Sequence, residues 1–249
     1  MNNISEAYNM DCNAYMKKLP DKCIDVAIVD PPYGINAPNM TMGSNMNRKN
    51  GGYNGESVAQ WLKKGRLNQG SGKLKNRALN TMSCEWDFFP PDKEYFDELF
   101  RVSKNQIIWG GNYFDRPPTR GIVIWDKMQP WENFSQVEMA WTSFDVPASI
   151  IHLSNTGGSN KEIKIHPTQK PIPVYHFLMK KFCKAGDKIL DTHLGSGSSR
   201  IAAYKMGLDF YACEIDKGYF DSQEERFRRE CFGEVKTDKG VLVQQSLFK

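Results

Sequence analysis

Ile24-Asp25-Val26-Ala27-Ile28-Val29-Asp30-Pro31-Pro32-Tyr33-Gly34 is the stretch that decides the fold. An apolar run stops on an acid, two prolines and an aromatic ring. A short run of this kind, bounded by turn residues, predicts a buried strand. Each proline fixes its own φ and restricts the residue before it. Asp30 is therefore expected at the end of the strand, on a stiff turn.

Outward from this stretch, apolar runs alternate with amphipathic ones. Further strands are expected at Gln106–Trp109, Ile122–Asp126, Val137–Thr142, Lys188–Asp191 and Phe210–Glu214. A helix from about Asp92 to Val102 puts Tyr95, Phe96, Leu99 and Phe100 on one face, with Asp92 as N-cap. Others are expected from Val174 to Lys184, from the turn after Asp191 to near Gly207, and from about Gly218 to Cys231. Alternating strands and helices indicate an α/β sheet. The chain has 249 residues, enough to bury a full core.

Composition narrows the class. No apolar stretch approaches a membrane span. Met1-Asn2-Asn3-Ile4-Ser5-Glu6 does not read as a signal peptide. The six cysteines show no C-x-x-C spacing, which argues against a zinc site and a disulfide frame. A cytoplasmic setting is expected. The net charge is +4, but residues 36–80 alone carry +7: Arg48, Lys49, Lys63, Lys64, Arg66, Lys73, Lys75 and Arg77 stand against Glu56. Such a loop reads either as a solvated excursion or as a segment that tracks phosphates; its start at the Asp30 turn favours the second.

Three motifs carry chemistry. In the first, Asp30 and the Pro31 carbonyl are placed to accept the two N–H bonds of an exocyclic amino group, with Pro32 stiffening the turn and Tyr33 free to stack on the ring. Alone it reads equally as a rigid turn. In the second, Asp191-Thr192-His193-Leu194-Gly195-Ser196-Gly197 follows a strand, and Glu214 ends the next one. Arg200 stands where a dinucleotide fingerprint has its third small residue, and there is no Gly-Lys-Ser/Thr. Both departures fit a cofactor without phosphates, with Glu214 on ribose hydroxyls. The third is His166-Pro167-Thr168-Gln169-Lys170-Pro171, a stiff loop with Thr168 near a helix start, suited to a carboxylate or to structure alone.

Taken together and in this order, the motifs resemble the β-type (permuted) amino-group DNA methyltransferases, the N6-adenine/N4-cytosine family, and in particular its small phage and prophage members. Asp11-Cys12, Trp86-Asp87 and Ile108-Trp109-Gly110-Gly111-Asn112-Tyr113-Phe114 add to the likeness, which covers residues 5–232. The resemblance implies a Rossmann-like S-adenosylmethionine-dependent methyltransferase sheet of seven strands, mostly parallel, with helices on both faces. It implies catalytic roles for Asp30, Pro31, Pro32 and Tyr33. Asp191, His193, Gly195, Ser196, Gly197 and Glu214 would line the S-adenosylmethionine pocket. Asp11 would lie near its adenine, and Thr168 and Lys170 near its methionine end. Asp191-Thr192-His193 departs from the family's Asp-Pro-Phe.

The expected organisation is a methyltransferase domain over residues 1–232, with DNA contacts from 36–80 and a second recognition segment at 143–164. A flexible tail covers 233–249. In it Gln244, Leu247 and Phe248 resemble the peptide by which bacterial proteins bind the replication sliding clamp. The expected reaction is methyl transfer to N6 of an adenine flipped from double-stranded DNA, with cytosine N4 as the nearest alternative. A non-catalytic DNA-binding or clamp-associated module on the same scaffold is the rival of another class.

Overall fold

A computed structural model describes residues 3–35, 87, 89–129, 135–155, 162–237 and 240–243. The first half contains β1 (Ser5–Asn9), α1 (Cys12–Met16), β2 (Ile24–Val29), α2 (Lys93–Val102) and β3 (Ser103–Trp109). A 3-10 turn (Gly111–Tyr113) follows, then β4 (Ile122–Asp126), β5 (Val137–Thr142) and β6 (Ser149–His152). The second half contains α3 (Ile172–Phe182), β7 (Lys188–Asp191), α4 (Ser198–Lys205), β8 (Asp209–Glu214), α5 (Lys217–Phe232), β9 (Glu234–Thr237) and β10 (Gly240–Val243).

Among the described residues, one sheet runs in the order β1-β8-β7-β2-β3-β5-β4-β6, and only β5 opposes the common direction. The expected mostly parallel α/β sheet is therefore present, with eight strands in place of seven. β1 and β6 are the two unforeseen strands. Each is a sheet edge, short and half polar, so neither carries the continuous apolar run that marks a strand buried on both faces.

β2 lies at the centre for the reason its sequence suggests. Val26 and Ile28 pack on one face with Val174, Leu178 and Met179 of α3. Ala27 and Val29 pack on the other with Tyr95, Phe96 and Leu99 of α2. Asp92 caps α2 by accepting from the Tyr95 N–H at 2.9 Å. α3 starts two residues earlier than expected, because Pro173 falls within its first turn, where a missing N–H costs nothing.

The chain leaves β2 through α2 toward β3 and leaves β7 through α4 toward β8, on opposite sides. β2 and β7 nevertheless pair directly, Val26 with Ile189 and Ala27 with Leu190. This is a topological switch point, where a crevice opens at the carboxyl ends of the strands. The tail expected to be flexible from residue 233 instead continues into β9 and β10, an antiparallel pair with Val241, Leu242 and Val243 exposed.

Ile28 is fully buried, two residues before Asp30. Ile28→Ala is expected to lower stability by about 2–5 kcal/mol, through lost burial and the cavity left behind. Urea unfolding followed by circular dichroism measures it.

Candidate active site

Asp30 and the turn after Asp191 occupy neighbouring strand ends, so the switch point gathers the first two motifs. Asp87 pins the Asp30 turn: its buried carboxylate accepts from the Tyr33 N–H at 2.7 Å and the Gly34 N–H at 3.0 Å. The Tyr33 hydroxyl donates to Asp30 Oδ1 at 2.5 Å. Its ring stacks on Tyr113 with centroids 5.0 Å apart. The ring lies where a side chain on Gly110 would be. Gly110 has φ +66°, and a Cβ there would sit 2.2 Å from Tyr33 Cε1. The glycine is required on both counts.

The other oxygen of Asp30 is taken by Lys170, whose Nζ donates to Oδ2 at 2.5 Å. The same ammonium donates to the Tyr33 hydroxyl at 3.2 Å and lies 2.9 Å from Glu138 Oε2. It also sits 5.0 Å above the Trp109 ring. Glu138 is bound in turn by Lys127 at 2.6 Å. The result is a row of alternating charges: Lys127, Glu138, Lys170, Asp30. Burial would raise the Glu138 pKa, but Lys170 and Lys127 overcome it and hold the group down at about 2. Burial leaves Asp30 above the usual carboxylate range, with Lys170 and the Tyr33 hydroxyl opposing the rise.

The second motif forms a tight turn into α4. Gly197, at φ +73°, is its N-cap, and a Cβ there would press on Gln223 at 3.2 Å. Asp191 is buried inward, accepting from Ser199 Oγ at 2.5 Å and from the His193 N–H at 3.1 Å. Burial pushes its pKa up to about 7, with those hydrogen bonds opposing. Glu214 Oε2 accepts from the Gly195 N–H at 2.7 Å, and Oε1 from the Asp216 N–H at 2.9 Å. Ser196 is buried, and its carbonyl accepts from Arg226 at 2.7 Å. Arg226 also pairs with Glu162 at 2.7 Å, joining this turn to the segment before the His166 loop. Asp11 caps α1, accepting from the Ala14 N–H at 2.8 Å, just past the strand paired with Glu214's own.

With this geometry, similarity to known proteins becomes informative. Residues 108–225 match the N6/N4 DNA methylase family. The type II methyltransferase M2.LlaDCHI of Lactococcus lactis subsp. cremoris is 24% identical over 153 residues, covering 61% of this chain and 52% of that protein. M2.DpnII of Streptococcus pneumoniae is 25% identical over 154 residues, 62% of this chain and 52% of that one. This chain is a distant relative of the amino-methylating DNA methyltransferases. Its match spans about half the length of these curated relatives.

The fold agrees with that kinship. PvuII DNA methyltransferase (cytosine-N4-specific) superposes with a TM-score of 0.55 at 14% identity, covering 91% of this chain and 87% of that one. A DNA modification methylase of Thermus thermophilus, TTHA0409, solved with S-adenosyl-L-methionine, gives 0.50 at 16%, covering 91% and 94%. The sheet is thus that of the S-adenosylmethionine-dependent methyltransferases.

Against the family pattern, two placements stand out. Thr192 and His193 replace the usual Pro-Phe and tie the turn to α2. Thr192 Oγ1 shares hydrogen bonds with the Tyr95 hydroxyl at 2.7 Å and His193 Nδ1 at 2.9 Å, and the Tyr95 and His193 rings meet edge-on. Burial lowers the His193 pKa to about 4, so the ring is neutral near pH 7. Lys170, expected beside a cofactor's methionine end, lies instead on Asp30. Thr168 stays with its own loop, its hydroxyl 3.2 Å from His166 Nδ1. The basic residues Arg48, Lys49, Lys63, Lys64, Arg66, Lys73, Lys75 and Arg77 lie outside the described residues, as do Gln244, Leu247 and Phe248.

Glu138, Lys127 and Gly110 were not singled out individually from the sequence. A lone acid inside Val137-Glu138-Met139-Ala140-Trp141 was the available signal for Glu138.

Two outcomes follow from the geometry. Gly110→Ala is expected to cost about 1–3 kcal/mol, from left-handed strain and displacement of Tyr33; denaturant unfolding and near-UV circular dichroism report both. Asp191 ionises near 3.8 when unfolded but near 7 when folded, so its proton is held more tightly in the folded state. Stability therefore falls as pH rises from about 4 to about 7. Asp191→Asn is expected to gain on the parent protein across that window when both are unfolded in urea at each pH.

Proposed function

We propose that this protein methylates N6 of an adenine flipped out of duplex DNA, using S-adenosylmethionine. The observation that carries the reading is the Asp30 carboxylate, held between Lys170 and Tyr33 on the strand next to the glycine turn. The N6/N4 family match supports an amino group as the target, and the solved relative with S-adenosyl-L-methionine supports the cofactor.

The turn fits that cofactor by its chemistry. Glu214 spends one lone pair of each oxygen on a backbone N–H, which leaves acceptor capacity for two ribose hydroxyls. Gly195, Ser196 and Gly197 bring backbone close, and Asp191 with Ser199 holds the turn in shape. His193, neutral, adds no charge. Asp11 sits at the adenine side and Thr168 at the methionine side. Bound there, S-adenosylmethionine supplies a methyl group on a positively charged sulfur.

On the base side, Asp30 accepts one amino N–H and the Pro31 carbonyl accepts the other. Their pull turns the nitrogen lone pair out of conjugation. Pro32 keeps the carbonyl aimed, and Tyr33 offers its ring to the extruded base, where stacking offsets about 1–3 kcal/mol of the cost of flipping. The work is mainly orientation. Residues 36–80 supply the phosphate contacts, with 143–164 sharing the choice of target.

Nucleoside mass spectrometry after incubation with S-adenosylmethionine and unmethylated DNA tests the proposal. The expected product is N6-methyladenine, reduced about 10²–10⁴-fold by Asp30→Ala. N4-methylcytosine would overturn the base assignment. No methylated nucleoside, with cofactor bound, would favour a non-catalytic DNA-binding module.

A further inference from the structure

The ammonium of Lys170 has no donor left to offer a cofactor. Asp30, Glu138 and the Tyr33 hydroxyl surround it at 2.5, 2.9 and 3.2 Å, and its side chain is 3% exposed. Trp109 covers it from below. On Asp30, Oδ2 faces this fixed cation and Oδ1 faces only the Tyr33 hydroxyl.

We propose that Lys170 is a positioning residue for Asp30: shared with Glu138, it anchors Oδ2 and keeps Oδ1 an acceptor for the amino group of the base. This rests on the methyl-transfer reading above and adds to it how the carboxylate is kept fit for its partner. An ionised carboxylate only accepts hydrogen bonds, whereas a protonated one also donates. A donating Asp30 would meet an amino N–H donor to donor. Entry of the base exchanges one hydrogen bond on Oδ1, from the Tyr33 O–H to the amino N–H, while Oδ2 stays on Lys170.

The surroundings explain why a counter-ion is needed. Asp30 faces Tyr33 from its own turn, Glu138 from β5, Tyr175 from α3 and Asp191 from β7, all neutral or negative. Lys127, after β4, is spent on Glu138. His166, on the loop that carries Lys170, is kept neutral by burial and by Lys170, its pKa lowered to about 3. Lys170 is the cation in direct contact with Asp30, and burial alone would favour the protonated acid.

Carbon-13 NMR of aspartate-labelled protein, without cofactor or DNA, reads Asp30 directly once Asp30→Asn has assigned its signal. Lys170→Met is expected to raise the Asp30 midpoint by about one unit or more, and Lys170→Arg to leave it near the parent value. In methylation assays the acid limb of kcat/KM is expected to move up with it, while KM for S-adenosylmethionine stays within about twofold. Should Lys170→Met not fold by circular dichroism, Lys170→Gln replaces it with the same expected direction. An unmoved Asp30 midpoint in a folded variant, or a raised cofactor KM with the acid limb unchanged, would overturn the proposal. The titration needs no turnover, so it separates failure of this positioning role from failure of the methyl-transfer reading.

Discussion

The parallel pairing of β2 with β7 is the constraint from which the site is built. The two strands are 164 residues apart in order of entry, Ile24 against Lys188, and their outgoing connections diverge to opposite sides. That divergence leaves a crevice at their carboxyl ends. It also sets an acid on a proline turn beside a glycine turn that opens a helix. Neither turn holds its shape alone: Asp87 and Gly110 support the first, Asp191, Ser199 and Arg226 the second.

Charge is the second organising element. Removing carboxylates and ammoniums from water costs several kcal/mol per ion, and buried ion pairs often return no net stability. The row from Lys127 to Asp30 is therefore poorly explained as a device for holding the fold together. It is better explained by what it does to the last member, a carboxylate kept as an acceptor at the end of an apolar strand. The β5 direction makes this possible. Because β5 alone opposes its neighbours, its beginning lies at the edge where the other strands end, and Glu138 is delivered to Lys170.

Much of this was legible in order along the chain. The apolar runs of β2, β3, β7 and β8 are bounded by breakers or acids, and strands buried on both faces advertise themselves in that way. The faces of α2 and the N-cap Asp92 were legible because helix periodicity and capping are local. β1 and β6 were not, since an edge strand of mixed polarity is stabilised by the neighbour it pairs with. β9 and β10 escaped for the same reason.

The sequence by itself determined the α/β class, the order of the motifs and the residue types at the two turns, because these depend on short-range chemistry: prolines that stop a strand, glycines that allow a left-handed turn, acids at strand ends. Only the tertiary structure decided what those residues face. Lys170 looked like a cofactor ligand from its place in the His166-Pro167-Thr168-Gln169-Lys170-Pro171 loop, and the fold set it on Asp30, 140 residues away. Thr192 and His193 looked like a defect in a motif, and the fold gave them Tyr95. Contacts of this range depend on strand order and strand direction, which no local pattern encodes.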